Sequence, residues 1–248
     1  MIHKLMPKIK KSAKDKIEWR SHEPTRIEAF SDGIFAFGIS LLVFSLEIPK
    51  NSKELIESFQ GFFPFAICFG FIFVIWYWQY LFFRRYGMHD KLTIFLNACL
   101  IFLVLFFIYP LKFLFNSMIL SDLYKMRPQD VPVLFMFYNG CVGMVYILLA
   151  LMYANARFNK DSLGLTPVEL FETNSHIIDQ VVLASVCGIA TLVAFIERGN
   201  KHGYAVFCFL PYFFLSFVMA YIGKKRSKLF KQKFGDIPMT EPQHGTKA

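Results

Sequence analysis

Asp32, His176 and Asp179 stand in or beside long apolar runs, and an ionisable group held at membrane depth is costly enough to have a purpose. Two kinds of chemistry suit such a group. It can be a structural carboxylate hydrogen-bonded to polar groups on neighbouring helices, or it can relay protons or ligate an ion. For Asp32 both readings stand. His176 and Asp179 fall where a helix is expected to start, a place where a carboxylate complements the helix dipole, and they read as structural. No catalytic constellation joins them. The sequence has no HExxH, GxSxG or Walker loop, no clustered His, Cys and Asp set, and no TVGYG-like filter loop. Cys68, Cys99, Cys141, Cys187 and Cys208 show no CxxC spacing and fall inside apolar runs, as small buried hydrophobes do. No metal site and no cofactor are expected.

The elements that must position these groups are greasy. Of 248 residues, 55% are hydrophobic, 18% aromatic and only 18% charged, with 31 Phe and a net charge of +9. Soluble domains run near a quarter charged, so this chain needs a solvent other than water, and its apolar content excludes disorder. A basic excess on such a chain favours anionic lipid over nucleic acid, because the basic residues are not interleaved with stacking aromatics in a folded domain.

An α-helix needs roughly 20 apolar residues to cross a hydrocarbon core. Charge-free runs of that size cover Ser58–Phe83, Leu92–Leu111, Val131–Ala156 and Gly203–Gly223, and Ile177–Ile196 joins them if Asp179 is accepted near its start. Gly33–Leu46 is too short alone. Thr25 followed by Glu28 reads as a capping box and Pro49 as a stop, so the first helix is expected over Arg26–Glu47, about 33 Å long, with Asp32 inside the membrane zone. The expected architecture is an all-α membrane protein with six transmembrane helices per subunit. Residues 1–25 form a basic cytoplasmic segment that is not a signal peptide, residues 26–223 the membrane domain, and residues 224–248 a basic cytoplasmic tail. In the inner loop Arg157–His176, Thr166-Pro167-Val168-Glu169 is a second capping box and predicts a short surface helix. Lys and Arg number 20 on the side of both termini against 6 on the other, with Lys112 snorkelling at the end of the third span, which predicts N-in, C-in.

The first helix carries the specific signal. Arg26-Ile27-Glu28-Ala29-Phe30-Ser31-Asp32-Gly33, continuing through Ser40 and closing on Leu46-Glu47-Ile48-Pro49, resembles the RxxxFSD signature helix of the transmembrane protein 175 family of potassium-permeable cation channels. Trp76 before Arg84 and Arg85 resembles the family's second-helix Trp region, and Asn97 through Pro110 its third-helix pattern of Asn, apolar run and Pro. The resemblance covers the first half of the chain by motif and the second half by topology.

It implies a bacterial-type, single-repeat subunit that assembles as a homotetramer in a prokaryotic plasma membrane, with the first helix lining a pore for potassium and other monovalent cations. It places the constriction at Phe37, Leu41 and Phe44, which share an i, i+4, i+7 stripe, with Ser40 beside it offering a hydroxyl to the ion path. The family's first layer is usually Ile or Leu, and a ring of Phe closes by dewetting or rotates aside. Asp32 lies roughly 140° of helix rotation from Phe37. Ser31 and Asp32 are therefore expected off the stripe; Arg26, Phe30, Ser31, Asp32, Trp76 and Asn97 are the signature and structural residues, with Arg26, Ser31 and Asp32 expected in one polar cluster with Trp76 Nε1 and Asn97. Gln79 falls near a position that often carries His. The rival class is a proton-coupled carrier using Asp32 or Asp179, against which the lack of paired, interrupted helices in matched halves argues.

Overall fold

Side chains at the segment ends decide where the helices begin. A computed structural model of the protein describes residues 20–21, 23–44, 51–52, 62–119, 131–197 and 210–235. Its first helix, α1, spans Arg26–Phe44. The Glu28 amide donates to Thr25 Oγ1 at 3.3 Å and the Thr25 amide donates to Glu28 Oε1 at 3.3 Å, so the capping box forms as the sequence predicts. Positions 45–47 of the expected helix lie outside the described residues.

Helix α2, Phe62–Tyr86, stops at Gly87, whose φ of 58° is the left-handed conformation that ends many helices; its amide donates to the Phe83 carbonyl at 2.8 Å. Asp90 then caps α3, Lys91–Ile119, by accepting from the Thr93 amide at 3.3 Å and the Thr93 hydroxyl at 2.6 Å. Burial pushes the Asp90 carboxyl up, but hydrogen bonds from Thr93 and Asn155 outweigh it and hold the group below its usual value. Pro110 sits inside α3, and its carbonyl accepts the Tyr138 hydroxyl from α4, Val131–Phe158.

The second capping box also forms, with the Thr166 amide donating to Glu169 Oε2 at 2.8 Å and the Glu169 amide to Thr166 Oγ1 at 3.3 Å. It does not start a short surface helix. It starts α5, which runs unbroken from Pro167 to Glu197, so His176 and Asp179 lie in its third and fourth turns rather than at its start. The charges that shorten the apolar run here are each met by a neighbour. Glu172 pairs with Arg85 at 3.1 Å, the His176 ring stacks on Tyr153 at 4.9 Å between centroids, and Asp179 pairs with Arg226. Arg226 belongs to α6, Leu210–Phe234, so residues 224–234 of the expected C-terminal tail continue the last helix.

All six helices among the described residues are α-helical, and four can cross a membrane by length and composition: Phe65–Tyr86, Lys91–Ile108, Pro132–Phe158 and Pro167–Glu197. Of the other two, α1 carries Arg26, Glu28 and Asp32 in its first two turns, and the described part of α6 turns basic after Gly223, with positions 203–209 of the expected last span outside the described residues.

The long pairing is between α4 and α5, while α1 packs against α2 and α3. Phe35 and Leu42 of α1 enter a core with Ile72 and Ile75 of α2 and Leu100, Ile101, Val104 and Ile108 of α3. Gly38 sets how close α1 comes to α3. A Cβ built there would lie 2.8 Å from Ile108 Cδ1 and 3.3 Å from Leu105 Cδ2. Gly38→Val is therefore expected to push α1 off α3 and to destabilise the protein by about 1–3 kcal/mol. Thermal unfolding of the detergent-solubilised chain measures this, and an unchanged midpoint would exclude the close approach.

Candidate functional site

The backbone of α1 divides its side chains into two faces. Glu28, Ser31, Phe35, Gly38 and Leu42, spaced alternately by three and four, point into the subunit and are buried. The opposite face is uncovered by the subunit's own helices: Phe30 is 66% and Phe37 58% exposed, and Gly33, Ala36 and Ser40 are exposed with them. Leu41 is half-buried and lies on the flank towards α3, about 40° of rotation from Phe37. Ser40 lies closer to the middle of the exposed face than Leu41 does. Phe44 ends the helix on the same stripe, and its side chain is outside the described residues.

The packed face is held by hydrogen bonds. Ser31 Oγ donates to the Ile27 carbonyl at 2.7 Å and accepts from Asn97 Nδ2 at 2.9 Å, while Asn97 Oδ1 accepts from Gln79 Nε2. Ser31 is 1% and Asn97 2% exposed, so this chain of three side chains ties α1, α2 and α3 together inside the apolar core. Asp32 does not join it. Its Oδ1 accepts from Trp76 Nε1 at 2.7 Å on the exposed side of the same helix pair. Successive residues of a helix point about 100° apart, so Ser31 and Asp32 reach different neighbours and the single expected cluster is two. Arg26 is exposed and joins neither, and Phe30 points away from both. On the outer face the Ser40 hydroxyl donates to the Ala36 carbonyl at 2.9 Å, which spends its proton and leaves its lone pairs outward.

Gln79, which the resemblance sets near a position that often carries His, is the second-helix member of the buried chain, where Trp76 was expected. A buried amide beside Asn97 leaves no mark in an apolar run. The N-terminal approach to α1 was missed as well. Arg20 donates to both carboxylate oxygens of Glu169, at 2.9 and 3.0 Å, and to the Leu163 carbonyl at 2.9 Å. Glu169, 1% exposed, thus serves the α5 cap and the Arg20 pair at once. Arg84 donates to the Ser21 carbonyl at 2.7 Å, and Ser21 Oγ lies 3.3 Å from Glu28 Oε1. The start of α1 is clamped to the end of α2 and the start of α5. The only sequence signal was Glu169 in its capping box, because Arg20 sits among basic residues that read as a solvated arm.

Residues 26–108 match the family model described as the endosomal/lysosomal potassium channel TMEM175. A potassium channel of Marivirga tractuosa is 34% identical over 233 residues, which cover 88% of this chain and 94% of that protein. A potassium channel of Chamaesiphon minutus is 30% identical over 105 residues, 39% of this chain and 52% of that one. The crystal structure of a variant of the potassium channel MtTMEM175, in complex with a nanobody–MBP fusion protein, superposes with a TM-score of 0.76 at 34% identity, covering 86% of this chain and 97% of that one. The crystal structure of a lysosomal potassium-selective channel TMEM175 homologue from Chamaesiphon minutus, 22% identical, shares the fold with a TM-score of 0.52 over 81% of this chain and 96% of that one.

Two substitutions test the supports of α1. Asn97→Leu strands the buried Gln79 amide and is expected to cost about 1–3 kcal/mol. Arg20→Gln leaves the Glu169 carboxylate buried without its cation and is expected to cost about 3–5 kcal/mol. Thermal unfolding in detergent ranks them, and a wild-type midpoint for either variant would remove that contact from the list of supports.

Proposed function

The chain belongs to the TMEM175 family of potassium channels, and on that premise we propose that it is a potassium-permeable cation channel whose pore is lined by α1 in a homotetramer. The observation that carries this reading is the division of α1 into a packed face and a face that the subunit leaves open, with Phe37 and Ser40 on the open side. Four copies around an axis turn each open side chain into a ring of four. The Phe37 ring is the apolar constriction, which excludes water and sets a barrier to hydrated ions. Leu41 and Phe44 extend the constriction along the helix. The outward lone pairs of Ser40 give a partly dehydrated cation an acceptor between apolar layers, in keeping with the hydroxyl's bond to Ala36.

Conduction on this scheme is passive. No cofactor takes part, potassium is the permeant ion with other monovalent cations, and the partners are further copies of the chain and the bilayer, with no nucleic acid. The reading places all six helices across the membrane of a prokaryotic cell, with both termini in the cytoplasm. Two observations support that topology. The start of α1, the end of α2, the start of α5 and the end of α6 lie at one end of the bundle, joined by Arg20, Arg84, Arg85 and Arg226. In the sequence, 20 of the 27 Lys and Arg residues fall in the two terminal segments and in the loops that this topology assigns to the cytoplasm. Of the signature residues, Ser31, Asp32, Trp76 and Asn97 then orient α1 against its neighbours and do not contact the ion, while Arg26 and Phe30 stay exposed on α1.

Shrinking the ring tests the assignment. Phe37→Ala is expected to raise potassium flux into reconstituted vesicles severalfold, and the wild-type chain is expected to give unitary currents in a planar bilayer. Unchanged flux with the variant present in the bilayer would overturn the pore assignment. Saturable, pH-driven exchange without unitary currents would replace the channel by a carrier.

A further inference from the structure

One stripe of α6 changes chemistry abruptly along its length. Leu210, Phe214, Phe217 and Tyr221, spaced alternately by four and three, are between 52% and 68% exposed. The same spacing continues into Lys224, Lys228 and Lys231, all exposed. Residues at this spacing lie on one face of a helix, so the aromatic stripe runs directly into the lysine stripe. At about 1.5 Å per residue, the three lysine positions fall about 5, 10 and 15 Å beyond Tyr221 along the axis. Lys225 flanks them.

The opposite side of α6 is fixed to the subunit, which keeps the lysines facing outward. Arg226 donates to both oxygens of Asp179, at 2.9 Å from Nη1 to Oδ2, and to the Ser175 carbonyl at 3.3 Å. One turn further, Phe230 is buried against Val168 and Phe171, and the Phe234 ring lies 5.9 Å from that of Phe171. A basic segment that only kept the tail soluble would need neither the ion pair nor this aromatic cluster. The helix is held rigid where its charge is densest.

We propose that this stripe is a docking surface for anionic phospholipid. The acyl chains lie along Leu210, Phe214 and Phe217, Tyr221 marks the boundary of the hydrocarbon, and the negatively charged headgroups are taken by Lys224, Lys228 and Lys231. The charge is complementary, and the apolar stripe directly above the lysines fits a ligand that is greasy at one end and anionic at the other. A soluble anion has no use for the upper half. A lysine at a membrane surface attracts acidic lipid by about 1 kcal/mol, about a fivefold gain, so three give a preference on the order of a hundredfold at low salt. The inference rests on the membrane reading of the chain but not on its conducting ions.

The test is native mass spectrometry of the full chain in detergent, titrated with phosphatidylglycerol or phosphatidylcholine. The wild-type chain is expected to take up phosphatidylglycerol at least tenfold more readily, with the preference lost at high salt. The triple variant Lys224→Gln, Lys228→Gln, Lys231→Gln is expected to lose that preference while binding phosphatidylcholine as before. Arg at the same three positions is expected to keep it. The neutral pair Arg157→Gln, Lys160→Gln, on the same side of the bundle but off α6, is expected to leave it intact. Equal uptake of the two lipids by the wild-type chain overturns the proposal, and so does a triple variant that keeps the preference. If the triple variant fails to fold, the wild-type comparison and its salt dependence decide alone. Potassium flux measured on the same preparations separates the two readings: wild-type flux without lipid preference defeats the docking surface only, and lipid preference without flux defeats the channel only.

Discussion

A helix that carries Ser, Asp and Glu in its first two turns can sit among apolar helices only if each polar atom taken from water finds a partner there. In this protein the partner for the deepest of them is Asn97, which donates from Nδ2 to Ser31 and accepts at Oδ1 from Gln79. That side chain alone addresses three helices. It fixes how α1 is turned about its own axis, and everything that depends on which residues α1 shows to the outside follows from it. Gly38, seven residues beyond Ser31 on the buried face, lets α1 lie close against Ile108 and Leu105 of α3.

The same logic governs the inner end of the bundle at larger charge. Glu169 is buried, and a buried carboxylate costs several kcal/mol unless it is paired and hydrogen-bonded. Arg20 meets it with two parallel bonds, and the Thr166 amide supplies a third. Through Ser21 and Arg84 that pair reaches the cap of α1, so the helix is held at its start by ionic contacts and along its length by neutral ones. Asp179 and Arg226 do for α5 and α6 what Glu169 and Arg20 do for α5 and the N-terminal approach. Three ion pairs, involving Arg20, Arg85 and Arg226, bind α5 to three other parts of the chain.

Much of this was legible in the sequence where the signal is local. Thr25 with Glu28, and Thr166 with Glu169, each marked a helix start, because a cap is a contact between residues three apart. The charge-free runs marked the spans of α2, α3 and α4, and the signature helix carried the resemblance. What was not legible depends on contacts distant in sequence. Glu172, His176 and Asp179 count against a span when read along the chain, and only Arg85, Tyr153 and Arg226 show why α5 begins at Pro167. The buried face of α1 reads Glu, Ser, Phe, Gly, Leu, which is not an apolar stripe, so its direction was hidden in the sequence. Arg20 and residues 224–234 looked like solvated charge because a basic segment and a helix with a packed back are written in the same letters.

Ser40 and Leu41 are consecutive, and successive residues on a helix point about 100° apart. What the open side of α1 presents at that level is thus a question of azimuth: a hydroxyl oxygen in the observed setting, an isobutyl group after a quarter-turn. Chemical identity along the axis is encoded in rotation as well as in composition. The residue that holds the angle, Ser31, is among the smallest in the helix and lies on its far side.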